Sequence, residues 1–294
     1  MAKMDNSNET SIDSEQVFGK LFGKLSEELQ NVGLDIIEQF PMRDYNKYPK
    51  IEQNSLQIKK LPEKFRNISD MSDSTGILIG NSRHLWKPFL KYFQTHPDLQ
   101  SIEHPLDVYV TQMVRQCCDH VLNNDLKKDR IGFEIYYSYE MSKDRLISFQ
   151  TVAHVSKNSF FYNTPHLCLH PIYGPWIAFR ALVLLDHKYQ DNNLKDVKSV
   201  ARFEDLNQML SNNLLSKDLT LETIDKQIQE KMNLALNCNN PKSDVNCVGN
   251  KRKWKLWLNV RDECSKYFKW HAHRYDQSQL LYHYTGDKKY LFTS

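Results

Sequence analysis

The stretch GPWIAFRALVLL, residues 174–185, decides the fold, because it predicts a strand that is buried on both faces. From Trp176 to Leu185 the residues are β-prone and almost all apolar, and Asp186 closes the run. Arg180 interrupts this pattern in mid-strand, where a guanidinium needs an anionic or hydrogen-bonding partner. We therefore expect a central strand that carries one arginine into the interior.

Residues 146–156, just upstream, alternate between apolar and polar side chains, which predicts a strand with one buried face. Residues 131–140 alternate in the same way, so the two segments predict an antiparallel hairpin. The polar face of the second segment carries Ser148, Gln150 and His154. A mostly neutral polar face beside a buried arginine is typical of the lining of a ligand pocket.

Hydrophobic spacing elsewhere predicts helices and further short strands around this pair. Helices are expected near 14–33, 85–93, 105–121, 203–215, 220–236 and 254–273, and strands near 34–40 and 75–80. The fold class is therefore α+β, with an antiparallel-rich sheet flanked by helices. We expect a disordered tail over 1–13 and a single domain over 14–294, with insertions at 187–222 and 237–252 and a C-terminal segment at 254–294.

Composition narrows the function classes. The 294 residues include 39 basic and 36 acidic side chains, and this balance argues against nucleic acid as a partner. No apolar run approaches the roughly 20 residues that span a bilayer, and the acidic N-terminus does not resemble a targeting signal. Six scattered cysteines are typical of reduced thiols. We expect a cytoplasmic protein without a membrane segment.

Three side chains are the main candidates for chemistry. Arg180 and Arg261 are either structural ion-pair partners or donors to the carboxylates of a small anionic ligand. His154 is about equally a structural histidine or a pocket residue. His166 and His170 have the spacing of zinc ligands on a helix, but prolines flank them, so no metal site is expected.

Seven short motifs follow one another in a recognisable order: Leu85–Leu90, His104–Asp107, QTVAHV at 150–155, Phe160–Tyr162, Cys168–Pro171, Gly174–Arg180 and Val260–Asp262. Each motif is weak alone, but together they resemble the MMACHC (CblC) family of intracellular cobalamin-processing proteins. The resemblance covers roughly residues 30–185 and 254–291.

The resemblance implies a fold related to flavin nitroreductases, with a helical C-terminal segment. It also implies two reactions: reductive decyanation of cyanocobalamin with electrons from a reduced flavin (FAD or FMN), and dealkylation of alkylcobalamins by glutathione. The implied partners are a cobalamin-trafficking protein and methionine synthase, which receive the processed cofactor, and a second copy of the chain in a homodimer.

The resemblance also assigns site residues. Family arginines of the glutathione site match Arg180 and Arg261, which with His154 form the expected catalytic set. A further family arginine falls at Tyr290, beside Lys289. The cobalamin contacts carried over are Ser138, Ile147, Ser148, Phe149, Gln150, Phe161, Tyr162, Asn163, Cys168 and Phe179.

Two other functions remain open at this point. A non-catalytic cobalamin chaperone needs the same pocket, and a flavin-dependent reductase of small organic substrates needs no corrin at all. Phe160–Tyr162 can equally be an ordinary core strand.

Overall fold

The computed structural model describes residues 7–58, 60–123, 130–157, 159–190, 205–216, 218–237 and 253–292. Its helices are α1 (Ser7–Asn31), α2 (Met42–Asn46), α3 (Pro49–Gln53), α4 (Trp86–Thr95), α5 (Pro105–Leu122), α6 (Phe149–Val155), α7 (Leu206–Asn213), α8 (Leu221–Asn237), α9 (Lys253–Lys266) and α10 (Gln277–Thr285). Its strands are β1 (Ile36–Pro41), β2 (Ser74–Asn81), β3 (Phe133–Tyr137), β4 (Phe160–Tyr162), β5 (Leu167–Leu169) and β6 (Ala178–Lys188). Across these ranges, every helix is too short or too polar to cross a membrane.

An antiparallel sheet in the order β1–β2–β6–β3 forms the centre of the fold. β6 lies between two neighbours, and residues 181–185 have no exposed surface. The odd-numbered residues of this range pack against α1, α4 and α5, and the even-numbered residues pack against α2, α3 and α6. The predicted burial of this strand on both faces is confirmed.

The strand predicted over residues 146–156 is wrong, because Phe149–Val155 forms α6. Phe149, Val152 and Ala153 pack into the core beneath the sheet, and their spacing fits one side of a helix. The predicted hairpin is also wrong, since β3 pairs with β6. A seven-residue window satisfies the helical and the strand spacing equally well, so its contacts with α2 decide the outcome.

A third core joins the β4–β5 hairpin to α7, α8 and α9. Tyr162 ties the hairpin to α8, because its hydroxyl donates to Asp225 Oδ1 at 2.6 Å. The predicted insertion 187–222 thus contributes a packed helix, although its residues 191–204 lie outside the described part. Residues 238–252 of the second predicted insertion also lie outside the described part.

The sheet, its flanking helices and the helical C-terminal segment confirm the α+β class. Most predicted elements recur within a few residues, including α5, which opens at Pro105 as expected. The first helix begins at Ser7, so residues 7–13 of the predicted disordered tail are helical instead. Residues 1–6 lie outside the described part.

Candidate functional site

A cavity of about 340 Å³ lies where the C-terminal segment covers the β4–β5 hairpin and the start of β6. Its volume suits a small organic ligand. Residues from α6, the hairpin, the stretch before β6, α9 and α10 line it: Gln150, Pro165, Leu167, Cys168, Pro175, Ile177, Phe179, Trp257, Val260, Arg261, His283 and Tyr284. The lining is mostly apolar and aromatic, with a few polar groups that can fix the orientation of a ligand.

Four of the predicted site residues meet in this cavity, although they are far apart in sequence. Gln150 comes from α6, Cys168 from β5, Phe179 from β6 and Arg261 from α9. The prediction that the cobalamin positions and a C-terminal arginine share one site is consistent with this placement.

Arg261 is buried and fixed by its own contacts. Its Nε donates to the carbonyl of Pro175 at 2.7 Å and its Nη2 donates to that of Ile177 at 2.9 Å. The guanidinium carbon lies 4.8 Å from the Trp176 ring centre and 5.0 Å from that of Tyr275. These contacts attach α9 to the stretch before β6, and they place a positive charge in the cavity wall.

Arg180 is half-buried and does not line the cavity, although its charge acts on His283 in the lining. The Nε of Arg180 donates to Asn81 Oδ1 at 2.7 Å, so its direct partner there is an uncharged amide. Burial lowers the pKa of its guanidinium, and the nearby Tyr275 and Asp107 oppose that effect. An arginine remains charged under such a shift, so Arg180 adds a second cation close to the site.

The other predicted positions lie outside the lining of this cavity. Ser138 and Asn163 are exposed, Ile147 and Phe149 pack against the core beneath the sheet, and Phe161 packs beside Ile36. Ser148 donates its backbone N–H to the Tyr45 hydroxyl at 3.2 Å, and Tyr162 binds Asp225.

His154 is exposed on α6, and its ring lies edge-on to Tyr48 at 5.6 Å. It therefore projects from a helix rather than from the predicted polar strand face. It lies on the same helix as Gln150 but, unlike Gln150, does not line the cavity.

The thiol and the imidazole of the cavity are both held in their neutral forms. Burial raises the pKa of the Cys168 thiol to about 12, so it is not a thiolate nucleophile at neutral pH. The His283 side chain is exposed at the cavity, and desolvation of its ring followed by the charges of Arg261 and Arg180 lowers its pKa. Both shifts favour the neutral forms of the two groups.

Sequence reasoning missed His283, Tyr284 and Trp257. Trp257 lies within the helix predicted over 254–273, whereas His283 and Tyr284 lie on α10, for which no helix was predicted. The one available signal was a histidine between two tyrosines, at residues 282–284. The sequence alone does not show which face of α10 packs against the rest of the protein.

Tyr290 and Lys289, the positions of the further family arginine, lie away from the cavity. Tyr290 packs against the core that contains α1, α4 and α5. Lys289 Nζ lies 2.6 Å from Asp287 Oδ2 in an exposed ion pair.

The sequence model of the methylmalonic aciduria and homocystinuria type C family matches residues 61–220, which is more than half of the chain. The matched range includes His154, Cys168 and Arg180 and ends before Arg261 and His283.

Two individual proteins are similar as well. A Danio rerio protein named cyanocobalamin reductase / alkylcobalamin dealkylase is 25% identical in an alignment of 149 residues that covers 45% of this chain. The match spans about half of that relative, 53% of its length. The crystal structure of a C. elegans B12-trafficking protein CblC, a human MMACHC homologue, superposes with a TM-score of 0.54 at 18% identity and covers 92% of both chains. This likeness confirms the fold that the sequence resemblance implies.

Proposed function

Because the chain belongs to the methylmalonic aciduria and homocystinuria type C family, we propose that it is an enzyme that removes the upper ligand of incoming cobalamins. The observation that carries the proposal is the cavity itself. It brings Gln150, Cys168 and Phe179 from the matched range beside Arg261 of the C-terminal segment. One site thus offers amide and apolar contacts on one side and positive charge on the other.

The proposed dealkylation needs a second substrate that supplies a thiolate, and we assign this role to glutathione. The thiolate attacks the cobalt-bound carbon, the carbon–cobalt bond breaks, and its electron pair stays on cobalt. The products are a thioether and cob(I)alamin, and the thiol proton passes to solvent. The contribution of the protein is to hold both substrates in line, which removes much of the entropic cost of the encounter.

The cavity is too small to enclose a corrin with its nucleotide tail. We therefore infer that it takes the thiol substrate and that the corrin lies across its mouth. Exposed polar side chains on or beside the elements that line the cavity include Gln150 and His154 on α6 and Asn163 after β4. Amide and imidazole groups suit the amide-rich rim of a corrin.

Decyanation of cyanocobalamin needs a reductant, and reduced flavin supplies electrons when it is bound. The aromatic part of the cavity, formed by Phe179, Trp257 and Tyr284, offers flat apolar area against which a flavin ring can stack. These residues would hold the ring and exclude water from it. We further propose a cytoplasmic location, delivery to a trafficking protein and to methionine synthase, and self-association as a homodimer.

One experiment separates this proposal from its alternatives. The purified protein is mixed with methylcobalamin under anaerobic conditions, and the absorbance spectrum is recorded before and after glutathione is added. We expect a change on mixing and a second, glutathione-dependent change to cob(I)alamin. Binding without the second change would indicate a chaperone. No change on mixing would exclude a cobalamin function and favour a reductase of small organic substrates.

Arg180→Gln is expected to reduce dealkylation about tenfold at low glutathione, which corresponds to the loss of about 1.4 kcal/mol of binding free energy. Asn81, its hydrogen-bond partner, can pair with the new amide, so the thermal midpoint should change little. The measurement is the initial rate against glutathione concentration, and saturating glutathione should restore much of the rate. An unchanged concentration dependence would remove Arg180 from the thiol site.

His154→Ala is expected to weaken cobalamin binding about tenfold, or roughly 1.4 kcal/mol, and to leave the fold intact. The side chain is exposed, so its removal creates no cavity in the core. Melting curves with and without cobalamin measure both effects, because a bound ligand raises the midpoint. The matched control is His104→Ala, another exposed histidine. If both variants bind cobalamin equally well, His154 does not contact it.

A further inference from the structure

His283 lies on α10 and faces the cavity opposite the residues that the family match covers. Its ring lies edge-on to Tyr275 at 5.9 Å and to Tyr284 at 5.0 Å. The Arg261 guanidinium packs on the same Tyr275 ring. The imidazole and Arg261 therefore share one aromatic neighbour, and both border the space a ligand would occupy.

The charges around this space are unbalanced. Among the residues that the structure describes, those that line it include Arg261 and His283 but no aspartate or glutamate. Arg180 is not part of this lining, but it adds a second positive charge that acts on His283. A site with two cations and no facing carboxylate favours an anionic ligand.

Arg261 cannot turn freely toward such a ligand. Two of its donor nitrogens are engaged by the Pro175 and Ile177 carbonyls. Its charge attracts an anion, and its remaining N–H groups can donate to one carboxylate oxygen, so a second donor from another element can bind the other oxygen. Tyr290 and Lys289 do not supply that donor, because they lie elsewhere. His283 is placed to do so.

We propose that His283 is a binding residue for the carboxylate of the thiol substrate, and that it takes up a proton when the carboxylate binds. The inference rests on the proposed thiol site and adds a residue and a proton to it. The energetic reason is the change in surroundings. Desolvation of the ring and the charges of Arg261 and Arg180 disfavour the imidazolium in the free protein, and a bound carboxylate supplies negative charge that favours it.

The sign of the pH dependence follows from this change. The pKa of His283 is below its ordinary value in the free protein, and the bound anion raises it. Between these two pKa values binding takes up a proton, so affinity falls as pH rises. Besides the two arginines, the described residues in ring contact with His283 include Tyr275 and Tyr284, and burial raises the pKa of Tyr275.

S-methylglutathione is the probe, because it keeps both carboxylates and has no reactive thiol. The pKa of its carboxyl groups is about 3.5 and that of its amino group is about 8, so neither kind of group titrates appreciably between pH 5 and 7. We expect its affinity for the full chain to fall about tenfold across this range. Calorimetry in two buffers of different ionisation enthalpy should show proton uptake. The diethyl ester of the probe should bind more weakly, without pH dependence.

His283→Gln should abolish the pH dependence, and the matched variant His104→Gln should retain it. Methylcobalamin binding by each variant checks that it is folded. If the wild type binds the probe without pH dependence, or if His283→Gln keeps the wild-type slope, the role of His283 is wrong and the thiol site stands. If the wild type binds methylcobalamin but not the probe at any pH, the thiol site fails, and this inference fails with it.

Discussion

Arg261→Gln is expected to lower the free energy of unfolding by about 2–5 kcal/mol, because it leaves two buried carbonyl groups without their donor. The Pro175 and Ile177 carbonyls both accept from this guanidinium, and the Trp176 and Tyr275 rings pack on it. The same change removes the cation of the cavity wall. We therefore expect glutathione-dependent dealkylation to fall more steeply than in Arg180→Gln.

Urea denaturation measures the loss of stability. The matched control is Arg274→Gln, because the Arg274 guanidinium carbon also lies over the Trp176 ring, 5.5 Å from its centre. Arg274 is more exposed and pairs with Asp262 at 2.5 and 2.9 Å, so its loss should cost about 1 kcal/mol or less. Equal costs for the two variants would mean that the carbonyl contacts of Arg261 contribute nothing to stability.

The two arginines, for which the sequence left the same two roles open, have different partners in the structure. The direct partner of Arg180 is the Asn81 amide, whereas Arg261 holds the wall of the cavity together. Sequence shows that an arginine is buried, but the partner comes from a segment that is distant in the chain.

The central strand was predictable for a physical reason. A run of apolar β-prone residues as long as 176–185 has few alternatives, because only burial on both faces satisfies it. Residues 149–155 form a single short window, and the pairing of β3 with β6 removed the partner that a strand there would need. The spacing of apolar residues therefore predicted the strand over 176–185 correctly, but it fitted both a helix and a strand over 149–155.

From the sequence, only cavity residues within the family motifs could be named as candidates. Gln150, Cys168, Phe179 and Arg261, four positions that the resemblance assigns, line one cavity, but His283 belongs to no motif. Its position depends on how α10 packs over the stretch before β6. Such packing is a tertiary property that periodicity does not encode.

The stretch before β6 is itself fixed by a turn at Gly174, which has a φ of +56°. The backbone N–H of Gly174 donates to the His170 carbonyl at 2.8 Å, and the reverse bond is 2.9 Å. Trp270 is fully buried against this turn and donates its Nε1–H to the Pro171 carbonyl at 3.0 Å. A Cβ on Gly174 would lie 2.4 Å from Trp270 Cγ, which is far inside van der Waals contact.

Gly174→Ala is therefore expected to lower the free energy of unfolding by about 2–5 kcal/mol, from overpacking and the left-handed backbone together. Gly286→Ala separates these causes, because Gly286 has a φ of +67° and no atom within 4 Å of its added Cβ. That control should cost only about 1–2 kcal/mol. Urea denaturation compares the two, and the dealkylation rate should fall only in Gly174→Ala, since Pro175 carries a carbonyl that holds Arg261. If the two alanine variants are equally stable and active, Trp270 yields to the extra methyl group, and the turn does not fix the cavity wall.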